Sequence, residues 1–178
     1  GLLNRPLNAN AESKVRHALL ELCETLAQEE KVFVHRDFHS RNLMVRQDNL
    51  MLIDFQDALM APPLYDLVAL LRDSYVALSQ NTVDHLLSCY WQQAAKLLPF
   101  SCESAMRQHF HLQTVQRKLK DAGRFIFIDR VKGNPGFLQW VEPTLGYVRE
   151  ALPQITGGLA LQELLGRHVP TLAASERR

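Results

Sequence analysis

The sequence predicts a mainly α-helical protein with a small antiparallel β-hairpin, folded as a single domain over residues 1–178. Three observations predict it. Apolar side chains recur at helical spacing through most of the chain. Short runs rich in β-branched, aromatic and large apolar residues are confined to residues 32–53. No repeat, low-complexity segment or linker divides the chain, and 178 residues are enough to bury one core.

Taken in order, residues 12–30 place Val15, Leu19, Leu22, Leu26 and Ala27 on one helical stripe, with Asn10 or Ser13 as the expected cap. Val32-Phe33-Val34 reads as a strand. Leu43-Met44-Val45 and Leu50-Met51-Leu52-Ile53 flank the turn-like Gln47-Asp48-Asn49 and read as a hairpin, with residues 32–34 expected nearby. Residues 64–78 are almost all apolar, which predicts a buried central helix. Helices follow over 81–98, ended by Pro99, and over 101–121, stopped near Gly123. Residues 125–131 read as a short helix or turn, and Gly133-Asn134-Pro135-Gly136 as a break. Two last helices are expected near 143–151 and 157–167, divided by Pro153 and Gly157-Gly158.

Composition excludes several classes. Twenty Lys and Arg against 19 Asp and Glu give a formal net charge of +1, without the basic footprint of a nucleic-acid binder. The three cysteines, Cys23, Cys89 and Cys102, fit neither a disulfide framework nor a zinc pattern and read as reduced thiols. No apolar run is long enough for a membrane span, and the first residues lack the pattern of a secretory leader, so a cytoplasmic protein is expected.

The chemistry lies in residues 34–57, where Val34-His35-Arg36-Asp37-Phe38-His39-Ser40-Arg41-Asn42 precedes Ile53-Asp54-Phe55-Gln56-Asp57. Phosphoryl transfer to a hydroxyl needs an acceptor O–H held near a base, and magnesium to offset charge on the moving group. Magnesium takes hard oxygen ligands, only a few of them from protein. The spacing H-R-D-x-x-x-x-N sets an Asp and an Asn on one loop, and the hairpin returns a second Asp beside it. Asp37 is the candidate base; Asn42 and Asp54 are the candidate magnesium ligands. His35 and Arg36 brace the loop. Asp66, opening the apolar helix, either caps that helix or reaches back to the loop backbone, and is structural in both cases.

These stretches resemble the aminoglycoside phosphotransferase and choline kinase superfamily, relatives of the protein kinases. They are most similar to bacterial anomeric sugar kinases of cell-wall recycling, which phosphorylate N-acetylmuramate and N-acetylglucosamine. The resemblance runs through residues 34–45, 53–58 and 63–75, then Gln116-Arg117-Lys118-Leu119-Lys120 and Thr144-Leu145-Gly146-Tyr147-Val148. It implies the C-terminal, catalytic lobe of a protein-kinase-like fold, with ATP as donor, Mg2+ as cofactor and a small amino sugar as acceptor. It gives Asp37, Asn42 and Asp54 the roles already argued. His39, Arg41, Asp57, Arg72 and Asp73 are candidates for binding sugar hydroxyls or a lactyl carboxylate. A salt bridge between Arg72 and Asp73 is the structural alternative, and a solvated helix face the alternative for Gln116, Arg117 and Lys120.

One departure stands out. Only 34 residues precede His35, they read as one helix, and they contain no Gly-rich loop or strand-borne Lys. The N-terminal nucleotide-binding lobe is therefore expected outside these residues, and the chain alone is expected to turn over little. Two other readings remain. One is an aminoglycoside- or choline-type kinase, with Tyr65, Tyr75, Tyr90, Trp91 and Trp140 available to box a quaternary amine. The other is a non-catalytic lobe remnant. Oligomeric state is open.

Overall fold

A computed structural model describes residues 7–174. Six α-helices dominate: α1 (Ala9–Ala27), α2 (Tyr65–Leu71), α3 (Gln80–Ala94), α4 (Glu103–Lys132), α5 (Val141–Ala151) and α6 (Gly158–Gly166). Four short strands, β1 (Val32–Val34), β2 (Leu43–Arg46), β3 (Asn49–Leu52) and β4 (Leu59–Ala61), lie between α1 and α2. The mainly α architecture with a small antiparallel hairpin is as the sequence predicts. No helix among the described residues is long and apolar enough to cross a membrane.

The hairpin forms in the expected register, Leu43 opposite Leu52 and Arg46 opposite Asn49. Gln47 and Asp48 both take positive φ, +50° and +62°, the handedness that a tight two-residue turn requires. Residues 32–34 are a strand, but they pair with β4 rather than with the hairpin, Val32 facing Ala61 and Val34 facing Leu59. Strand β4 is only three residues long and runs into Pro62-Pro63, so sequence periodicity had little on which to register it.

Three helix boundaries differ from expectation. The cap of α1 is Asn8, whose Oδ1 accepts the Ala11 amide at 2.8 Å, so Asn10 lies inside the helix. Helix α2 stops at Leu71, well short of residue 78. Beyond it Asp73 accepts the Tyr75 amide at 2.8 Å, and a side chain that satisfies local amides competes with helix propagation. Helix α4 runs through Gly123 and ends 10 residues later at Gly133, whose φ of +66° closes it in the left-handed cap geometry. An interior glycine costs about 1 kcal/mol, and the buried side chains of Val115, Ala122, Phe125 and Ile126 outweigh it.

Helix α4 is the spine. One apolar cluster gathers Leu22 and Leu26 of α1, Val115 of α4, Leu145 and Val148 of α5, and Leu165 of α6. A second joins Leu64, Val68 and Leu71 to Val83 and Leu87 of α3 and to Met106 and Phe110 of α4. The strands sit outside both. Phe33 and Met60 of one strand pair, Val45 and Leu50 of the other, and Phe55 between β3 and β4 are all exposed apolar side chains.

Candidate active site

The site is assembled on the segment between β1 and β2. Arg36 has φ +77°, a conformation that costs a non-glycine residue about 1 to 3 kcal/mol. Two contacts hold it there. Asp66, in the first turn of α2, accepts the His35 amide at Oδ2 (2.6 Å) and the Arg36 amide at Oδ1 (2.9 Å). Its carboxylate thus reaches back to the loop, as one of the two sequence readings had it. From the other side, Arg117 of α4 donates from Nη2 to the Arg36 carbonyl at 2.9 Å. His35 is buried against Phe38, ring centroids 6.2 Å apart, and neither ring nitrogen has a hydrogen-bond partner among the described residues.

Asp37 follows at the lip of a cleft of about 560 Å³. Asn42, buried, donates from Nδ2 to the Asp37 carbonyl at 2.9 Å and to Asp54 Oδ2 at 3.5 Å. The amide nitrogen thus faces the Asp37 carbonyl and Asp54, and Oδ1 is the Asn42 atom able to ligate. Asp54 has φ +70° and takes a further hydrogen bond from Gln56 Nε2 at 2.6 Å. The amide of Ile53 bonds the Asn42 carbonyl at 3.1 Å, so the end of β3 is tied to the loop that carries Asn42. Asn42 turns its amide nitrogen toward Asp54; the Asn42 amide oxygen and the Asp54 carboxylate are hard donors of the kind magnesium takes. No group of three or more His, Cys, Asp and Glu side chains is gathered for an ion among the described residues, so phosphate and water would complete the shell.

The cleft has walls of unlike charge. On the loop side lie Asp37, Asp57 and Asp73. Asp57 faces Arg36 at 3.8 Å. Asp73 accepts the Ser40 amide at 2.8 Å besides that of Tyr75, so its carboxylate fixes backbone on both sides of the cleft mouth. His39 lines the same side, and burial lowers its pKa although Asp73 and Asp37 pull it upward. The facing wall is α4, with Arg117, Lys118, Asp121 and Arg124. Lys118 is buried and reaches Ser74 Oγ at 3.3 Å and Asp121 at 3.1 Å; burial pushes its ammonium pKa down against the pull of Asp121. Burial pushes the Asp121 carboxyl up, but Lys118, Arg117 and Lys120 outweigh it and hold it low.

Two candidates lie elsewhere. Arg72 does not face the cleft: it is buried, bonds Gln80 Oε1 at 2.9 Å and approaches Glu150 at 3.7 Å, within a separate polar pocket shared with His111. Its ion pair is thus with Glu150, and no Arg72–Asp73 bridge forms. Arg41 stacks on the Tyr75 ring with its guanidinium carbon 3.5 Å from the centroid. Of the five aromatics considered for an amine box, Tyr75 and Trp140 meet edge-on at 5.4 Å, with Arg41 on the Tyr75 ring. Sequence reasoning missed the α4 wall. Arg117 and Lys118 have the composition of a solvated face, yet they are among the most buried charges in the chain, 3% and 2% exposed.

Compared with protein-family models, residues 3–97 match that of the phosphotransferase enzyme family (APH), more than half of the chain. The chain belongs to this family. Curated relatives extend the likeness of this phosphotransferase family member beyond residue 97. An N-acetylmuramate/N-acetylglucosamine kinase of Pseudomonas putida KT2440 is 38% identical over 74% of the chain and 39% of the relative. Kinases of the same name from Pseudomonas aeruginosa PAO1 and Neisseria meningitidis MC58 are 34% and 35% identical, over 92% and 83% of the chain and 50% and 45% of the relatives. The chain spans half or less of the length of the curated relatives it matches.

Proposed function

We propose that this chain is the base-carrying, acceptor-binding lobe of an ATP-dependent kinase that phosphorylates the anomeric hydroxyl of an amino sugar. The observation that carries the reading is Asp37 lining the cleft, with its backbone carbonyl and the Asp54 carboxylate bridged by the Asn42 amide. The names of the three relatives supply the acceptor class. Asp37 orients the sugar hydroxyl and takes its proton as the new O–P bond forms. Asn42 Oδ1 and Asp54 would hold magnesium, which with the donor polyphosphate neutralises charge on the transferred group. Asp66 and Arg117 keep the loop in its left-handed bend so that Asp37 stays aimed at the cleft. His39 and Asp57 bind sugar hydroxyls in this reading, which their position in the cleft lining supports.

A nucleotide-binding lobe completes the enzyme by covering the exposed side chains of Phe33, Val45, Leu50, Phe55 and Met60. Their exposed apolar area supports this, as does the chain's span of half or less of its relatives' length. The test uses the protein bearing both lobes, with ATP and magnesium, against N-acetylmuramate, N-acetylglucosamine, kanamycin and choline. ADP release with the two amino sugars, and a sugar 1-phosphate by 31P NMR, is the expected result. Turnover of choline or kanamycin alone, or phosphate on another hydroxyl, would refute it.

A further inference from the structure

The charges on α4 do not balance locally. Asp121 is one carboxylate shared by three cations: Lys120 at 3.0 Å, Lys118 at 3.1 Å and Arg117 at 3.8 Å. Arg117 is buried, and its Nη1 has no hydrogen-bond partner among the described residues. One turn beyond Lys120, on the same helical face, Arg124 lines the cleft. Its guanidinium carbon lies 5.6 Å from the Phe127 ring centroid, and no carboxylate pairs with it among the described residues. Against these four cations the α4 wall has Asp121 alone, whereas Asp37, Asp57 and Asp73 come from the other wall, where Arg36 is the one cation lining the cleft among the described residues.

From this segregation we infer that Arg124 receives the carboxylate of an acidic acceptor sugar, and so sets the preference for an anionic over a neutral amino sugar. The inference rests on the acceptor reading above and adds to it the residue that separates the two sugars. Arg117 touches the backbone next to Asp37, and Arg124, which lines the same cleft, lies about 10 Å further along the helix. A sugar with its reacting hydroxyl at Asp37 therefore extends toward Arg124. A carboxylate at its far end meets a wall with excess positive charge and a guanidinium able to bind it in two-pronged fashion. The exposed position of Arg124 lets it engage the ligand without a buried pair having to be broken.

Steady-state kinetics of the two-lobed protein with N-acetylmuramate and N-acetylglucosamine decide the matter, using the parent, Arg124→Ala and Arg124→Lys. Arg124→Ala should raise KM for the acid about tenfold, the size of one charge-assisted contact, and leave KM for the neutral sugar within about twofold. Arg124→Lys should restore part of the loss. KM for the acid alone should rise with salt in the parent, and less so in Arg124→Ala. Equal effects on both sugars, or none on either, would overturn the inference while the acceptor reading stands. A parent that phosphorylates neither sugar would overturn both. Arg124 is exposed, so the variants should fold, and an unchanged melting temperature verifies it.

Discussion

The Asp73 carboxylate accepts the amide of Ser40 at 2.8 Å, joining two points 33 residues apart in sequence. The same group bonds the Tyr75 amide, and Tyr147 donates its hydroxyl to the Asp73 carbonyl at 3.2 Å. One residue therefore ties the catalytic segment to the end of α2 and to α5. Both carboxylate oxygens serve backbone amides, so Asp73 has a positioning role besides lining the cleft.

Asp73→Ala leaves two amides without their acceptor and should cost about 2 to 4 kcal/mol of stability. Asp73→Asn, which keeps one acceptor oxygen, should cost less. Urea unfolding of the two variants checks the order; equal midpoints would remove the argument.

Asp37→Asn should lower kcat of the two-lobed protein by a factor of about 100 to 10,000, with the sugar KM within about threefold. Asp54→Asn should instead raise the magnesium concentration needed for half-maximal rate. A magnesium titration of both variants separates base from ligand; the same magnesium response in both would exchange or merge the roles.

His111 contributes one pH-dependent component of stability. Burial, assisted by Arg72 and Arg107 and opposed by Asp84, lowers its pKa from 6.5 to about 4. Between those values the unfolded chain binds a proton that the folded one refuses, so stability falls as pH drops from 6.5 to 4 and is unaffected by this group above 6.5. Allowing for partial exposure, the loss is about 1 to 2 kcal/mol. In His111→Gln this component of the slope should vanish, as read by thermal melts across the window.

Gly158 opens α6 where a Cβ would stand 1.7 Å from the Leu152 carbonyl oxygen. Gly158→Ala must displace the start of α6 or the turn before it, at about 2 to 4 kcal/mol. Gly123→Ala meets nothing within 4 Å and should stabilise α4 by about 1 kcal/mol. Parallel thermal melts should move in opposite directions.

How much of this was legible in the sequence depended on the range of the interactions. The hairpin, the loop spacing from Asp37 to Asn42 and the return of Asp54 follow from local periodicity and turn chemistry, and they emerged as read. Helix α2 was overdrawn because apolar residues continue past Leu71, whereas Asp73 spends its carboxylate on amides outside the helix. Helix α4 was cut short at Gly123 because a glycine penalty is visible in sequence and the packing that overrides it is not. The burial of Arg117 and Lys118 was hidden for the same reason. Their partners, Arg36, Ser74 and Asp121, include two that are 81 and 44 residues away.

Arg117 lies midway along a helix of 30 residues, about 45 Å of unbroken rod. A brace anchored there cannot shift without tilting the whole rod and both apolar clusters packed on it. The loop bearing Asp37 is therefore carried as cargo on the stiffest member of the lobe. Any change that tilts α4 should move Asp37 with it, although the two lie on separate elements.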